Sequence, residues 1–269
     1  MRLSLSQIST ANASFEDDLL AYARAGFEGI GLWQFKLSGD WVADRDAVHG
    51  AGLEATNCVP QVPTILPNPV IEGPENPDER IEQICASIGY FANFRPASIL
   101  CLTGPVGSVR EAEARRIVIE GLQAAAETAE ACGVALGLEP IHRSEPQFSF
   151  VFSIPEALEL LDEAGLPDVG VLVDTYHLWD TETVWDDLER HVGRITGVHV
   201  AEHTPEGSEG RALPGEGIGR TRELVQALSA AGWDGWLDVE IFSTPDGFWG
   251  LPPDEAAHRA YDAAAKLLR

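Results

Sequence analysis

The chain of 269 residues is acidic: 43 Asp and Glu against 18 Lys and Arg give a formal net charge of −25. This charge repels nucleic-acid phosphates and anionic membrane surfaces, so we expect neither nucleic acid nor membrane as a partner. No apolar run approaches the roughly 18 residues of a membrane-spanning helix, and residues 1–6 are too short and too polar for a secretory signal. The net charge is still compatible with a local basic pocket that binds a phosphorylated sugar.

The four cysteines are scattered, and none belongs to a C-x-x-C pair. Each falls in an apolar segment, where a buried, reduced thiol is the simplest interpretation. Reduced thiols without a secretory signal predict a cytoplasmic protein. The four are Cys58, Cys85, Cys101 and Cys132.

Strand patterns and helix patterns alternate along the chain. Residues 3–6 alternate apolar and polar side chains as a strand does, and Ser14 with an acidic first turn starts a helix that Gly26 ends. The same order then repeats. The predicted strands are 3–6, 27–33, 53–60, 96–102, 134–139, 169–174, 197–201 and 236–242. The predicted helices are 19–25, 42–49, 76–94, 108–132, 154–164, 184–192, 222–231 and 254–268.

Eight strand and helix pairs without a disordered linker predict one domain over residues 1–269. Strands separated by helices are most simply parallel, and eight such units commonly close into a barrel, so the predicted fold class is α/β, a single (β/α)8 TIM barrel. An open doubly wound sheet is the alternative, but no G-x-G-x-x-G follows the first strand. The irregular stretches 61–74 and 202–219 are predicted to be lids or substrate loops.

Metal-binding side chains stand late in four successive predicted strands, where a barrel carries its site. Three carboxylates and one imidazole supply an oxygen and nitrogen shell for one divalent ion, Mn, Mg or Co above all, and Zn as well. For any one of them, helix capping or an ion pair with Arg explains the residue equally well. Four together predict a metal site. They are Glu139, Asp174, His199 and Glu240.

The segments GLEP (137–140), VDTYH (173–177), VHVAE (198–202) and DVE (238–240) resemble those of the sugar phosphate isomerase and epimerase family of xylose isomerase-like barrels. The resemblance covers nearly the whole chain. It implies one divalent metal held by the four residues named above, with the two Glu residues, 139 and 240, as catalytic acid and base. It further implies that His177 contacts the substrate and that Glu145 is placed like the substrate-contacting acid of the ketose epimerases.

The other predicted substrate contacts are His142, Arg211, Trp33 and Trp249. Ketose epimerases usually have an Arg six residues after the metal-binding His, where this chain has Pro205, so Arg211 in a longer loop is the nearest candidate. A guanidinium there suits a phosphate or carboxylate, although a surface charge is the rival interpretation. The two Trp side chains are predicted to form an apolar wall against a sugar face, with core packing as the rival for Trp33.

His177 has a rival role as a hydrogen-bonding partner of Asp174. The three remaining histidines considered are interpreted as solvated or capping groups. They are His191, His203 and His258.

This chemistry predicts a divalent-metal-dependent isomerase or epimerase of a small keto-sugar or related polyhydroxy ketone, phosphorylated or not. A metal-bound carbonyl acidifies the neighbouring C–H, so that one Glu removes the proton and a metal-stabilised enediolate forms. Return of the proton gives an epimer or an aldose. Loss of a β hydroxyl instead gives a dehydratase of a cyclic keto acid or ketone, similar to the inosose and dehydroshikimate dehydratases, and this lyase is the alternative.

Two other functions fit the sequence less well. An abasic-site endonuclease of the same superfamily needs more His and Asp ligands for three metals, whereas the predicted strands 53–60 and 96–102 end without His. A non-catalytic sugar-binding barrel needs no pair of Glu bases. A small-molecule sugar or keto acid is therefore the predicted partner, and the apolar loop 248–251 predicts a homo-oligomer.

Overall fold

The computed structural model describes residues 1–204 and 210–269. Eight parallel strands form the barrel, and the third is split into two segments. The strands are β1 (Arg2–Ser6), β2 (Gly29–Gly31), β3 (Glu54–Ala55 and Asn57–Cys58), β4 (Ser98–Cys101), β5 (Leu136–Leu138), β6 (Gly170–Asp174), β7 (Ile195–Val200) and β8 (Trp236–Val239).

The barrel closes because every strand pairs with a neighbour on both sides. β1 pairs with β8 as well as with β2. The first segment of β3 pairs with β2 and the second pairs with β4. Between the segments, Thr56 donates its N–H to Ile30 O at 2.9 Å and accepts from Ser98 N at 3.1 Å. The predicted (β/α)8 TIM barrel is confirmed.

Helices follow the strands as the periodicity predicts, each apolar face packing on the barrel or on a neighbouring helix. Ser14 caps the first helix by accepting from Asp17 N, and Gly26 ends it with φ of 100°. The helices are α1 (Phe15–Ala25), α2 (Trp41–Gly50), α3 (Pro77–Phe91), α4 (Glu111–Cys132), α5 (Ile154–Glu163), α6 (Thr175–Leu178), α7 (Val184–His191), α8 (Thr221–Ala230) and α9 (Pro253–Ala264).

Two elements lie outside the prediction. The four-residue helix α6 follows β6 directly, and Asp174 Oδ1 caps it by accepting from Tyr176 N at 2.8 Å. Glu202–His203 and Arg211–Ala212 pair as a short antiparallel ribbon. Both elements are too short to show a hydrophobic period, which explains why the sequence pattern does not reveal them. Residues 205–209 of the predicted loop 202–219, Pro205 included, lie outside the described residues.

The predicted loop 61–74 is irregular, yet it is held firmly against the barrel. The guanidinium of Arg80, only 1% exposed, donates from Nε to Thr64 O at 2.8 Å and from Nη1 to Pro74 O at 2.9 Å. Val62, Ile65 and Leu66 of this loop are buried. The loop is therefore a fixed wall above the strand ends.

Burial of the cysteines is only partly as expected. Cys58 and Cys101 are fully buried, but Cys85 is half-buried and Cys132 is exposed. Cys132 is the last residue of α4, next to the left-handed Gly133, where the chain turns on the outer surface of the barrel. Within the described residues, no helix combines the length and the apolar character required to cross a membrane.

Candidate functional site

Three of the predicted metal ligands converge at the carboxyl ends of neighbouring strands. Glu139 follows β5, Asp174 ends β6, and His199 lies in β7 beside Asp174 in the strand register. Each offers one ligand atom, and these atoms lie within 4.8 Å of one another. Glu139 is 4% exposed and the other two are fully buried. They form a candidate divalent metal site.

Glu240, the predicted fourth ligand, follows β8 and adjoins this group. Its Oε2 lies 3.5 Å from His199 Nδ1, and Glu139 Oε1 lies 3.4 Å from the same nitrogen. In the described part of the chain, the group that meets the 4.8 Å spacing has three members, and Glu240 stands next to it. Two buried Glu carboxylates thus approach one imidazole nitrogen.

Arg211 crosses the site and joins the carboxylates. Its Nη1 donates to Asp174 Oδ2 and to Glu240 Oε2, both at 2.8 Å, and its side chain is 8% exposed. The guanidinium carbon lies 4.2 Å from the ring centroid of Tyr176. Burial alone disfavours the charge, but Asp174 and Glu240 hold the pKa of Arg211 above its ordinary value. The rival interpretation of Arg211 as a surface charge is wrong, because the loop turns its side chain inward.

The donor set suits a divalent cation. Four buried carboxylates, those of Glu139, Asp174, Asp238 and Glu240, surround two groups that carry positive charge, Arg211 and His199. Burial raises the pKa of Glu139 to about 7 and that of Asp238 to about 7, because the charged carboxylates lose their hydration there. Carboxylate oxygens with one imidazole nitrogen fit Mg²⁺, Mn²⁺, Co²⁺ or Zn²⁺.

Asp238 is a part of this site that the sequence reasoning missed. Its Oδ1 accepts from Ser4 Oγ at 2.7 Å, and its Oδ2 lies 3.7 Å from His199 Nε2. Neither Asp238 Oδ2 nor His199 Nε2 has a hydrogen-bond partner among the described residues. The Asp238 carboxylate faces Nε2 and so favours the tautomer with its proton on Nε2. In that tautomer the lone pair of Nδ1 can bind a cation. Period-two alternation places Asp238 on the same side of its strand as Glu240, and this signal was available.

His177 is buried beside the same carboxylates and is electrically neutral. Burial, reinforced by Arg211, lowers its pKa to about 3, although Asp174 opposes the shift. Arg211 Nη2 donates to His177 Nε2 at 3.3 Å, so the ring proton resides on Nδ1. Within residues 1–204 and 210–269, that Nδ1 has no hydrogen-bond partner. The Nδ1–H of His177 is therefore a donor without an acceptor among these residues. Its Nε2 lies 3.7 Å from Asp174 Oδ2.

A cavity of about 600 Å³ lies over these groups. Glu139 and Glu240 form part of its lining, and so do four of the predicted substrate contacts, Trp33, Glu145, His177 and Arg211. Tyr176, which sequence reasoning did not single out, lines it as well and donates from its hydroxyl to Glu145 Oε1 at 3.2 Å.

Two other predicted substrate contacts stand behind the lining. His142 bonds Ser144 Oγ at 2.7 Å and Asp180 Oδ1 at 3.1 Å, and its ring meets His203 edge-on. Trp249 donates its indole N–H to Ile8 O at 2.6 Å. Both side chains have their polar atoms engaged by protein groups, and neither lines the cavity. Their contact with a substrate stays a prediction.

His203 corrects the interpretation of the remaining histidines. It lines the cavity, stacks on Tyr176 with ring centroids 3.9 Å apart, and donates from Nε2 to Tyr176 O at 2.9 Å. Its place four residues after His199, on the same side of an extended chain, is the signal that was overlooked. His258, by contrast, lies exposed on α9 and bonds Asp254 O. Trp249 and Phe248 are half-buried, and self-association through their loop stays a prediction.

Metal affinity is expected to rise with pH. Although burial favours the neutral imidazole, Glu240 and Glu139 raise the pKa of His199 to about 10, and burial raises that of Glu139 to about 7. A cation must displace these protons, so affinity gains about tenfold per pH unit for each proton released. Calorimetric titration with Mn²⁺ between about pH 6 and 8, in buffers of different ionisation enthalpy, counts the protons. Affinity that does not change over this range contradicts the expectation.

Comparisons with known proteins agree with this geometry. The family model described as xylose isomerase-like TIM barrel matches residues 19–269. A putative hydroxypyruvate isomerase of Streptomyces coelicolor is 29% identical over 241 residues, which cover 82% of each chain. The D-psicose 3-epimerase of Enterocloster bolteae is 31% identical over 137 residues, 51% of this chain and 43% of the epimerase.

Solved structures show the same fold. Protein SMc04130 from Sinorhizobium meliloti 1021 superposes with a TM-score of 0.87 at 23% identity, covering 98% of each chain. The IOLI protein, solved with a zinc atom, superposes with a TM-score of 0.81 at 16% identity, covering 100% of this chain and 98% of that one. The closed barrel, the buried Glu, Asp and His group and the family match over nearly the whole chain lead to one conclusion: the protein belongs to the xylose isomerase-like TIM-barrel family, whose members similar to it include sugar isomerases and epimerases.

Proposed function

We propose that the protein is a divalent-metal-dependent isomerase or epimerase of a small hydroxyketone. The observation that supports this most directly is the position of Glu139 and Glu240, which approach His199 Nδ1 at 3.4 and 3.5 Å inside a buried site. A binding module needs no such pair of bases. The putative hydroxypyruvate isomerase and the D-psicose 3-epimerase among the relatives act, by their names, on hydroxyketones.

Glu139, Asp174 and His199 would hold the ion, with Glu240 beside them. The ion supplies a Lewis acid that polarises the substrate carbonyl and acidifies the neighbouring C–H. One Glu removes that proton and the other returns a proton, so configuration inverts when the two act on opposite faces. If the first Glu instead returns the proton to the adjacent carbon, a ketose and an aldose interconvert.

The other polar groups of the cavity orient the substrate. Neutral His177 lines the cavity, and Arg211 donates to its Nε2, which holds the ring in one tautomer beside the carboxylates. Arg211 neutralises Asp174 and Glu240 and holds both in place. The Tyr176 hydroxyl, held on Glu145, fixes that acid against the cavity where a substrate hydroxyl can donate to it.

The cavity favours an unphosphorylated substrate. Within residues 1–204 and 210–269, Arg211 is the one Lys or Arg side chain that lines it. That guanidinium is shared between two carboxylates at 2.8 Å, so it has little capacity left to bind a phosphate. We therefore place neutral ketones ahead of ketose phosphates.

Deuterium incorporation tests the proposal. The Mg²⁺-loaded protein is incubated in deuterated water with ketoses, ketose phosphates, hydroxypyruvate and cyclic keto acids, and the products are followed by NMR. We expect deuterium on the carbon next to the carbonyl of a neutral hydroxyketone. Its position and the configuration of the product separate epimerase from isomerase, and loss of a β hydroxyl identifies the alternative dehydratase. A folded, metal-bound protein that exchanges none of these compounds contradicts the proposal.

A further inference from the structure

A short 3₁₀ helix follows β1 directly and is completely buried. It consists of Gln7–Thr10, and we call it the anchor turn. Three of its four residues are polar, and the proposed mechanism uses none of them. Buried polar side chains are hydrogen-bonded almost without exception, so the partners of these residues indicate what the anchor turn holds in place.

Ser9 continues the hydrogen bonding of β8 beyond the end of its partner strand. The paired register of β1 and β8 ends with Leu5 and Val239. Beyond this point the Ser9 hydroxyl takes the place of a strand, since its Oγ donates to Val239 O at 3.1 Å and accepts from Ile241 N at 2.9 Å. Ser9 is fully buried, so both bonds lie out of reach of bulk water.

The two bonds of Ser9 lie on either side of Glu240 in the chain. Glu240 itself donates its N–H to Val200 O at 3.2 Å, on the side of β7. Pairing with β7 therefore brings Glu240 into the site, and Ser9 holds the chain on the opposite side. Because Glu240 comes after the last residue of β8, strand pairing with β1 no longer restrains its backbone there.

The anchor turn is itself fixed by a buried ion pair. Asp18 of α1 accepts from Thr10 Oγ1 at 2.6 Å and from Gln7 Nε2 at 3.0 Å. Lys36, whose side chain is 5% exposed, lies 2.6 Å from the same carboxylate and donates to Thr10 O at 2.8 Å. Separation of a buried pair leaves an uncompensated charge, so this pair keeps both ends of the turn in one place.

Two tryptophans connect the anchor turn to the surroundings of the cavity. Gln7 Oε1 accepts from the backbone N–H of Trp33, a lining residue, at 2.9 Å. The indole N–H of Trp249 donates to Ile8 O at 2.6 Å and to Ile241 O at 3.1 Å. The anchor turn therefore joins one wall of the cavity to the chain that follows β8.

We infer that Ser9 is a positioning residue for Glu240, which it holds through the backbone of Val239 and Ile241. Fixed in this way, the Glu240 carboxylate meets Arg211 Nη1 at 2.8 Å. The effect on catalysis rests on the proposed function, whereas the placement of the carboxylate does not. A misplacement of about 1 Å can cost on the order of a hundredfold in rate, so a hydroxyl that does not line the cavity can still control turnover.

The Arg211 guanidinium reports the position of the Glu240 carboxylate without any turnover. In ¹⁵N NMR of the intact protein, Glu240→Gln identifies the shift of the Arg211 Nη1 signal that follows loss of this partner. Ser9→Ala should move the signal in the same direction and should speed hydrogen exchange of the Ile241 amide by about tenfold. An Arg211 signal that stays at its wild-type position in folded Ser9→Ala overturns the inference.

Two further variants protect this test from a general loss of stability. Ser9→Cys keeps nearly the same shape but offers a weaker donor and acceptor, so it should shift the Arg211 signal in the same direction even where Ser9→Ala does not fold. An unmoved signal in Ser9→Cys then overturns the inference. Ser87→Ala is the control, because Ser87 is a buried serine of α3 that donates to Gln83 O at 2.8 Å. It should leave the Arg211 signal unchanged.

Turnover separates positioning from a merely structural role. Ser9→Ala should lower kcat by about tenfold or more and leave KM within about twofold. In the Glu240→Gln background the same change should alter kcat by less than about twofold, because the group that Ser9 positions is already lost. Equal losses in both backgrounds overturn the inference. A wild type without turnover contradicts the proposed function alone, since the Arg211 signal still decides whether Ser9 places Glu240.

Discussion

Glu139→Gln and Glu240→Gln are each expected to lower turnover by about 10³-fold or more, since each removes a carboxylate that we propose transfers a proton. The two variants should differ in metal binding. Glu139 belongs to the group whose ligand atoms lie within 4.8 Å of one another, whereas Glu240 adjoins it through His199 and Arg211. Loss of the Glu139 carboxylate should therefore weaken binding of the ion much more than loss of the Glu240 carboxylate.

Deuterium exchange and calorimetry on the same preparations measure both effects. Glu130→Gln, an exposed change of the same kind on α4, serves as the control and should keep wild-type turnover. Turnover near the wild-type value in either site variant would rule out proton transfer by two Glu residues. A loss of turnover with metal affinity preserved in Glu240→Gln would identify that side chain as a base in its own right.

Asp174→Asn should separate the two roles of this residue. Its Oδ1 caps α6, and its Oδ2 meets Arg211 and the candidate metal site. The Asn oxygen can still accept from Tyr176 N, but it carries no charge, so metal affinity should fall by more than the about 10–100-fold that loss of an outer partner costs. Asp174→Ala should lose the cap of α6 as well, so its free energy of unfolding should be about 1 kcal/mol lower than that of Asp174→Asn.

Metal titration and urea unfolding of the two variants distinguish these effects. Asp180→Asn is the matched control, because Asp180 is an exposed partner of His142 that stands behind the cavity lining. It should bind the ion within about twofold of the wild type. An Asn variant with undiminished metal affinity would remove Asp174 from the ligand set.

The hydrophobic periodicity of the sequence suffices to predict most of the fold and the grouping of the four central site residues. Each of Glu139, Asp174, His199 and Glu240 is late in a strand or directly after one, and parallel strands in a barrel bring their carboxyl ends together, so local patterns sufficed to group them. The barrel, its strands and its family resemblance are confirmed. The catalytic roles stay predictions.

The parts of the site that lie on irregular backbone are harder to predict from the sequence. Arg211 reaches Asp174 from a loop without a period, and no pattern fixes where a loop points a guanidinium. His142 and Trp249 have residue types that suit a sugar site, yet they pack against the lining residues His203 and Phe242 and do not line the cavity themselves. Sequence does not reveal which of two stacked layers faces a cavity. His203 differs from these two, because its spacing of four residues from His199 was a usable signal.

The seam of the barrel links assembly of the site to the order of folding. β1 pairs with β8 in a register that joins Arg2 to Trp236 and Leu5 to Val239, and Glu240 is the next residue after that seam. Contacts so distant in sequence form late, because the chain must first pay the entropy of closing a very long loop. Glu240 reaches His199 through the pairing of β8 with β7, which sets Asp238 beside His199, so the pair of Glu residues does not wait for the seam. The seam instead brings Ser4 to Asp238, so a folding intermediate without it leaves the carboxylate behind His199 without its Ser4 hydrogen bond.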